Sequence, residues 1–180
     1  MTLVVTSGLS AALLVLLLSR LLAAGRVVGA VATFQLAGHP APDFAVQTWT
    51  WDGSPTQTVR LSAFAGRPAV ANFWASWCDA CREEELVLEA AYLKYQPQGV
   101  MFFGVAYQDN EPDGRAFLHQ YHVTFPSGPP VAVTTPTDYA VTGIPETVFI
   151  DRHGIVVRKV QGAIDDGTLG REIQALLGKR

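Results

Sequence analysis

The chain has 180 residues, 49% of them hydrophobic, and a formal net charge of -3. That length suits one domain with an appendage, the apolar share excludes a disordered chain, and the lack of a Lys/Arg cluster excludes nucleic acid as a partner. Two cysteines are too few for a disulfide-stapled scaffold, and one Cys pair lacks the second half of a usual zinc site, so no metal is expected.

Residues 3 to 18 read LVVTSGLSAALLVLLL without a charge, and after Arg20 and Arg26 the apolar text resumes. Such a stretch is a transmembrane helix or the apolar part of an export signal. No basic residue precedes it, and Ala30-Val31-Ala32, the one triplet that looks like a cleavage site, lies far from the start. Residues 1–36 are therefore expected to be an uncleaved membrane anchor. The domain over 37–180 would work outside the cytoplasm, where disulfides can form.

His39, Pro40, Pro42 and Asp43 open that domain. Residues 46–51 (VQTWTW) alternate, Asp52-Gly53 turns, and 57–61 (QTVRL) returns, which predicts a hairpin with Trp49 and Trp51 as packing residues. The apolar run 68–75 (PAVANFWA) predicts a central strand covered on both faces. A helix is expected over 82–95, with Glu83, Glu84 and Glu85 in its first turns and Leu86, Ala90 and Leu93 on its buried face. A second apolar strand follows over 100–106, then a helix over about 112–122. The Pro-rich stretch 126–136 fits no element. Residues 146–150 (ETVFI) and 155–160 (IVVRKV), joined by a turn at 151–154, predict an antiparallel pair, and Asp165 or Asp166 would cap a last helix ending near Gly178. This order implies an α/β fold whose central mixed sheet has helices on both faces.

Cys78 and Cys81 lie between the buried strand and the helix. A cysteine at a helix start meets free backbone N–H groups and the positive end of the dipole, which favour the thiolate and pull the pKa below about 8.5. The thiolate is the attacking species in thiol–disulfide exchange, and Cys81, one turn on, can resolve the mixed disulfide. A CxxC can also be half a metal site or an inert staple. His119 and His122, three apart, could share a ligand, although solvated helix-face histidines are the commoner case. The strand before and the acidic helix after favour redox work, which needs no cofactor. Asp79 should oppose the neighbouring thiolate and make the pair more reducing. Glu84, three residues past Cys81, could move the proton of Cys81, or could simply be a surface residue near the dipole.

Four segments carry a resemblance: Ala41-Pro42-Asp43-Phe44, Asn72 to Cys78, Cys81-Arg82-Glu83-Glu84, and Gly143 to Asp151. Together they resemble the thioredoxin superfamily, and within it the TlpA-like branch of extracytoplasmic proteins of cytochrome c maturation. The resemblance implies a thioredoxin-like fold and catalytic roles for Cys78, Cys81 and Glu84. It implies that Pro145 is a cis-proline facing the active-site disulfide, and that Trp77, Ile144, Pro145 and Glu146 form the surface meeting substrate, with the Ile144 backbone pairing to a substrate chain. Asn72 stands where ordinary thioredoxins carry a buried Asp. Ala80 replaces a frequent Pro, and Leu86 stands where a helix-kinking Pro is usual.

The implied work is reduction of disulfides in extracytoplasmic proteins such as apocytochrome c, fed by a membrane thiol–disulfide electron donor. Two other readings start from the same residues: a thiol oxidase or isomerase, and a copper-binding assembly factor using Cys78, Cys81 and a histidine.

Overall fold

The computed structural model describes residues 36–178. The expected membrane segment falls on residues outside that range. Among the described residues no helix is long and apolar enough to cross a membrane.

Two continuous apolar runs build the centre. β3 (Ala69–Trp74) and β4 (Met101–Ala106) pair in parallel and are buried at every position, the burial expected of parallel strands covered on both faces. The 17-residue helix α1 (Asp79–Tyr95) connects them. Gly99, at φ 92, turns the chain from it into β4, a left-handed conformation that favours glycine. After β4 comes α2 (Glu111–Gln120), its N-terminus capped by the Asn110 side chain accepting from Asp113 N at 3.0 Å. Further on lie β5 (Ser127–Gly128), the one-turn helix α3 (Thr135–Asp138), β6 (Glu146–Ile150), β7 (Val156–Gln161) and α4 (Asp166–Gly178). Asp165 caps α4, accepting from Thr168 N at 2.8 Å.

The sheet runs β5-β4-β3-β6-β7, with β6 antiparallel to both neighbours. The expected hairpin forms from β1 (Ala45–Gln47) and β2 (Thr58–Arg60), shorter than predicted because the chain leaves the strand before Trp49. The unassigned stretch 126–136 has a role in this frame. Its backbone runs beside β1, with Gln47 N donating to Pro129 O and Val131 N to Ala45 O, so the hairpin is joined to the main sheet through β5.

Alternation along β3 sends Val70, Asn72 and Trp74 to one face and Ala69, Ala71 and Phe73 to the other. The expectation of helices on both faces holds only in a reduced form. Apolar residues of α1, α2 and α4 (Leu88, Phe117, Ile173) all join the core on the first face. The second face is covered by Phe44, Val46, the 3-10 turn Leu61–Phe64 and Tyr139 beside α3. Each βαβ step moves the same way across the sheet, so right-handed crossovers put their helices on one side.

The buried face of α1 differs from the predicted one. Leu86 and Leu93 are 61% and 60% exposed, and Ala90 is exposed as well. The inner face carries Cys81, Glu84, Glu85, Leu88, Glu89, Ala91 and Tyr95. Three carboxyls therefore point inward. Glu89 accepts from Thr124 N at 2.9 Å and from Thr124 Oγ1 at 2.5 Å. Glu84 is described below.

Candidate active site

The helix begins three residues earlier than predicted, because Cys78 is itself the N-cap. Its backbone is extended (φ -91, ψ 110) and its Sγ accepts from Cys81 N at 3.1 Å. That contact puts a helix-terminal amide on the first sulfur. The two sulfurs are bonded as a disulfide, with Cα atoms 5.3 Å apart. Cys81 is fully buried, whereas Cys78 keeps 7% of its surface, so of the two residues Cys78 is the more open to a partner. Asp79, with 93% of its side chain exposed, pairs loosely with Arg82 at 3.5 Å.

The turn before the cysteines is tied to the loop after β4. Asp109 accepts from Ser76 N at 2.6 Å and from Ser76 Oγ at 2.9 Å. Trp77 Nε1 donates to Gln108 O at 3.2 Å, leaving the indole 55% exposed beside Cys78. Arg82 Nη2 donates to Ser76 O at 2.8 Å.

Glu84 lies one turn from Cys81 on the same inner face, 1% exposed. Its Oε1 accepts from Asn72 Nδ2 at 2.7 Å and its Oε2 from Ile164 N at 2.7 Å. Burial pushes this carboxyl up to about 7, and the two donors oppose that rise. A carboxyl that titrates near neutrality within one turn of a buried thiol can take up or return a proton. The surface-residue alternative for Glu84 is set aside by its burial. Glu85 is buried next to it, and burial with the charges of Glu84 and Glu89 holds its carboxyl well above the usual range. Sequence reasoning missed Glu85 because its neighbours at 83 and 84 read as one exposed acidic turn.

The Ile144–Pro145 peptide is cis. Phe73 pairs with Glu146 across β3 and β6, so Pro145 falls at the end of β3 from which the cysteine turn departs. Ile144 is half-buried and Pro145 buried. Pro145 O accepts from Gly162 N at 2.9 Å, while no hydrogen bond among the described residues engages Ile144 N or O. Glu146 is 1% exposed and does not face solvent. Its Oε1 accepts from Thr142 N, Thr142 Oγ1 and Gln161 Nε2 at 3.0–3.1 Å, and its Oε2 forms an ion pair with Lys159 Nζ. Lys159 escaped notice in the sequence, where it read only as a residue of the returning strand 155–160.

The histidines lie elsewhere. α2 ends at Gln120, so His122, at φ 54, is beyond the helix that was expected to hold both. His119 and His122 pack around Trp51, with ring centres 5.2 and 5.8 Å from its indole. No cluster of three or more metal-ligating side chains occurs among the described residues.

Residues 37–159 match the AhpC/TSA family. The thiol:disulfide interchange protein DsbE of Allochromatium vinosum is 30% identical over 151 residues, covering 80% of this chain and 77% of that protein. The thiol-disulfide oxidoreductase ResA of Oceanobacillus iheyensis is 32% identical over 127 residues, covering 71% and 66%. A crystal structure from Chlorobium tepidum, assigned as a thiol:disulfide interchange protein DsbE, superposes with a TM-score of 0.69 at 31% identity, covering 79% of this chain and 98% of that one. With a CxxC pair on a thioredoxin-like fold and relatives of this kind, the chain belongs to the AhpC/TSA family and is one of its TlpA-like thiol–disulfide oxidoreductases.

Proposed function

We propose that the protein reduces disulfides in extracytoplasmic proteins, apocytochrome c among them, from a domain over 37–180 held at the membrane by residues 1–36. The observation that carries this reading is the helix-capping Cys78 sulfur, the more accessible of the pair, with the buried Cys81 behind it.

The Cys78 thiolate attacks one sulfur of a substrate disulfide, and the other substrate sulfur leaves as a thiolate that takes a proton. The Cys81 thiol passes its proton to Glu84 and its sulfur attacks Cys78. The second substrate sulfur leaves as a thiolate and takes that proton back from Glu84, and the protein disulfide remains. Two electrons have passed to the substrate from the cysteine pair; of its two protons, one came from solvent and one from Cys81 through Glu84. A membrane thiol–disulfide donor returns two electrons to the pair.

Asp79 supports the reducing direction. An anion beside the Cys78 thiolate destabilises the reduced form, the reverse of what makes a strong oxidant. The unengaged Ile144 backbone supports binding of an extended substrate chain as an added strand, with Trp77 as an apolar flank and Pro145 and Glu146 holding that edge. The relatives named a thiol:disulfide interchange protein and a thiol-disulfide oxidoreductase support disulfide exchange, and the resemblance of the four motifs to the TlpA-like branch is what points to cytochrome c maturation. The copper-site reading draws no support from His119 and His122, which are packed on Trp51.

The test is covalent trapping in the full chain. Cys81→Ser should accumulate mixed disulfides with its substrates, and their identification by mass spectrometry should return extracytoplasmic proteins with paired cysteines. Trapping by Cys78→Ser but not by Cys81→Ser would reverse the assigned roles and defeat the mechanism.

A further inference from the structure

Lys159 lies on β7, 19% of its side chain exposed, with its ammonium turned toward the chain that precedes the cis-proline. It has three oxygen partners. It donates to Tyr139 O at 3.1 Å and to Ala140 O at 2.5 Å, and it forms an ion pair with Glu146 Oε2.

The first two acceptors are carbonyls at the C-terminal end of α3, where Ala140 takes the left-handed conformation at φ 50. The third belongs to the residue directly after Pro145. Glu146 Oε1 in turn holds Thr142 through its N–H and hydroxyl, and Gln161 Nε2 donates to Thr142 Oγ1 at 3.0 Å. The segment 139–142 is thus gripped from β6 and β7 on one side of Gly143-Ile144-Pro145, and Glu146 grips the other. Removing the Lys159 charge would also strand a buried carboxylate, which is costly.

We propose that Lys159 is a positioning residue for substrate binding: by clamping 139–142 to Glu146 it sets where the Ile144 backbone edge lies, without taking part in the sulfur chemistry. This rests on the reading that Ile144 receives the substrate chain. The clamp touches neither cysteine nor Glu84, so its loss acts on recognition and not on exchange.

The test compares two disulfides reduced by the full chain, the first in steady state with dithiothreitol as the electron source and the second in single turnovers of the pre-reduced chain freed of dithiothreitol, which would otherwise reduce it directly. One is an oxidised peptide carrying a CxxC disulfide, which can pair along Ile144. The other is dithiodipyridine, which has no peptide backbone. Lys159→Gln should raise the KM for the peptide about tenfold with kcat little changed, the signature of lost binding shared by ground and transition states. Its rate with dithiodipyridine and its equilibrium potential should stay at the wild-type value. Should Lys159→Gln not fold, the Lys159→Gln/Glu146→Gln pair, which removes both charges together, should give the same KM-specific loss, and Lys159→Arg should keep most of the affinity. An unchanged peptide KM in a folded variant, or an equal loss with both disulfides, would overturn the proposal. Failure of the wild type to reduce either disulfide would instead defeat the parent reading.

Discussion

Asn72 and Glu84 meet across the β3–α1 interface, the amide donating to the carboxylate at 2.7 Å, with its second hydrogen directed to Thr147 Oγ1 at 3.1 Å. A neutral donor thus stands at the base of the site and favours the charged form of Glu84 without bringing a charge of its own.

A pH signature follows for the resolving step. Glu84 accepts a proton only once ionised, so release of substrate from the mixed disulfide should speed up as pH rises through about 7. Glu84→Gln should slow that step on the order of 10²-fold and remove the inflection, since general-base catalysis contributes on that scale. Asn72→Ala withdraws a donor to the carboxylate and should move the inflection upward. Stopped-flow single turnovers across pH 5–9 check both; a Glu84→Gln profile superposable on the wild type would remove Glu84 from the mechanism.

Glu84 and Glu85 together set the pH dependence of stability. Both hold their protons to higher pH in the folded chain than in the unfolded one, where a Glu titrates near 4.5. The unfolded state then binds fewer protons between those values, so stability falls as pH rises from about 4.5 through 7. Glu85→Leu replaces a buried carboxyl by an apolar group and should raise stability at pH 7 by on the order of 1–3 kcal/mol, with a smaller gain at pH 4.5. Urea unfolding at the two pH values is the measurement, and a destabilised Glu85→Leu at pH 7 would contradict the account.

Gly114 sets two effects against each other. Alanine in a helix interior is worth about 1 kcal/mol over glycine. Here a Cβ would stand 2.1 Å from Trp49 Cζ3 and 2.4 Å from its Cε3, and Trp49 is a buried core residue. Overpacking of this kind costs about 1–3 kcal/mol, so Gly114→Ala should lower Tm. A raised Tm in a thermal scan would mean that the indole moves aside freely.

The CxxC between a buried strand and a helix was legible in the sequence, as were β3, β4, the β6–β7 pair and α4, because each shows in a local pattern. The inner face of α1 was not. Its outer stripe of Leu86, Ala90 and Leu93 is as periodic as its inner one, and the partners that make Glu84 and Glu89 tolerable inside, Ile164 and Thr124, lie 80 and 35 residues away. The start of α1 was misplaced because cysteine is not read as a cap. Residues 126–136 looked irregular since their pairing is short and split between β4, through Ser127 and Gly128, and β1, remote in the chain. The Glu146–Lys159 pair was hidden for the same reason: alternation along one strand tells which face a residue takes and not what waits there.

One consequence of the Asp109 carboxylate concerns how this site can change over evolution or in the laboratory. Because a single side chain receives both the amide and the hydroxyl of Ser76, the turn ahead of the cysteines and the loop after β4 behave as one mechanical body. A library that varies Ser76 or Asp109 would sample mostly broken pairs. Varying both loops together, with Ser76 and Asp109 held fixed, is the route by which new substrate preferences could be selected without unseating the sulfur.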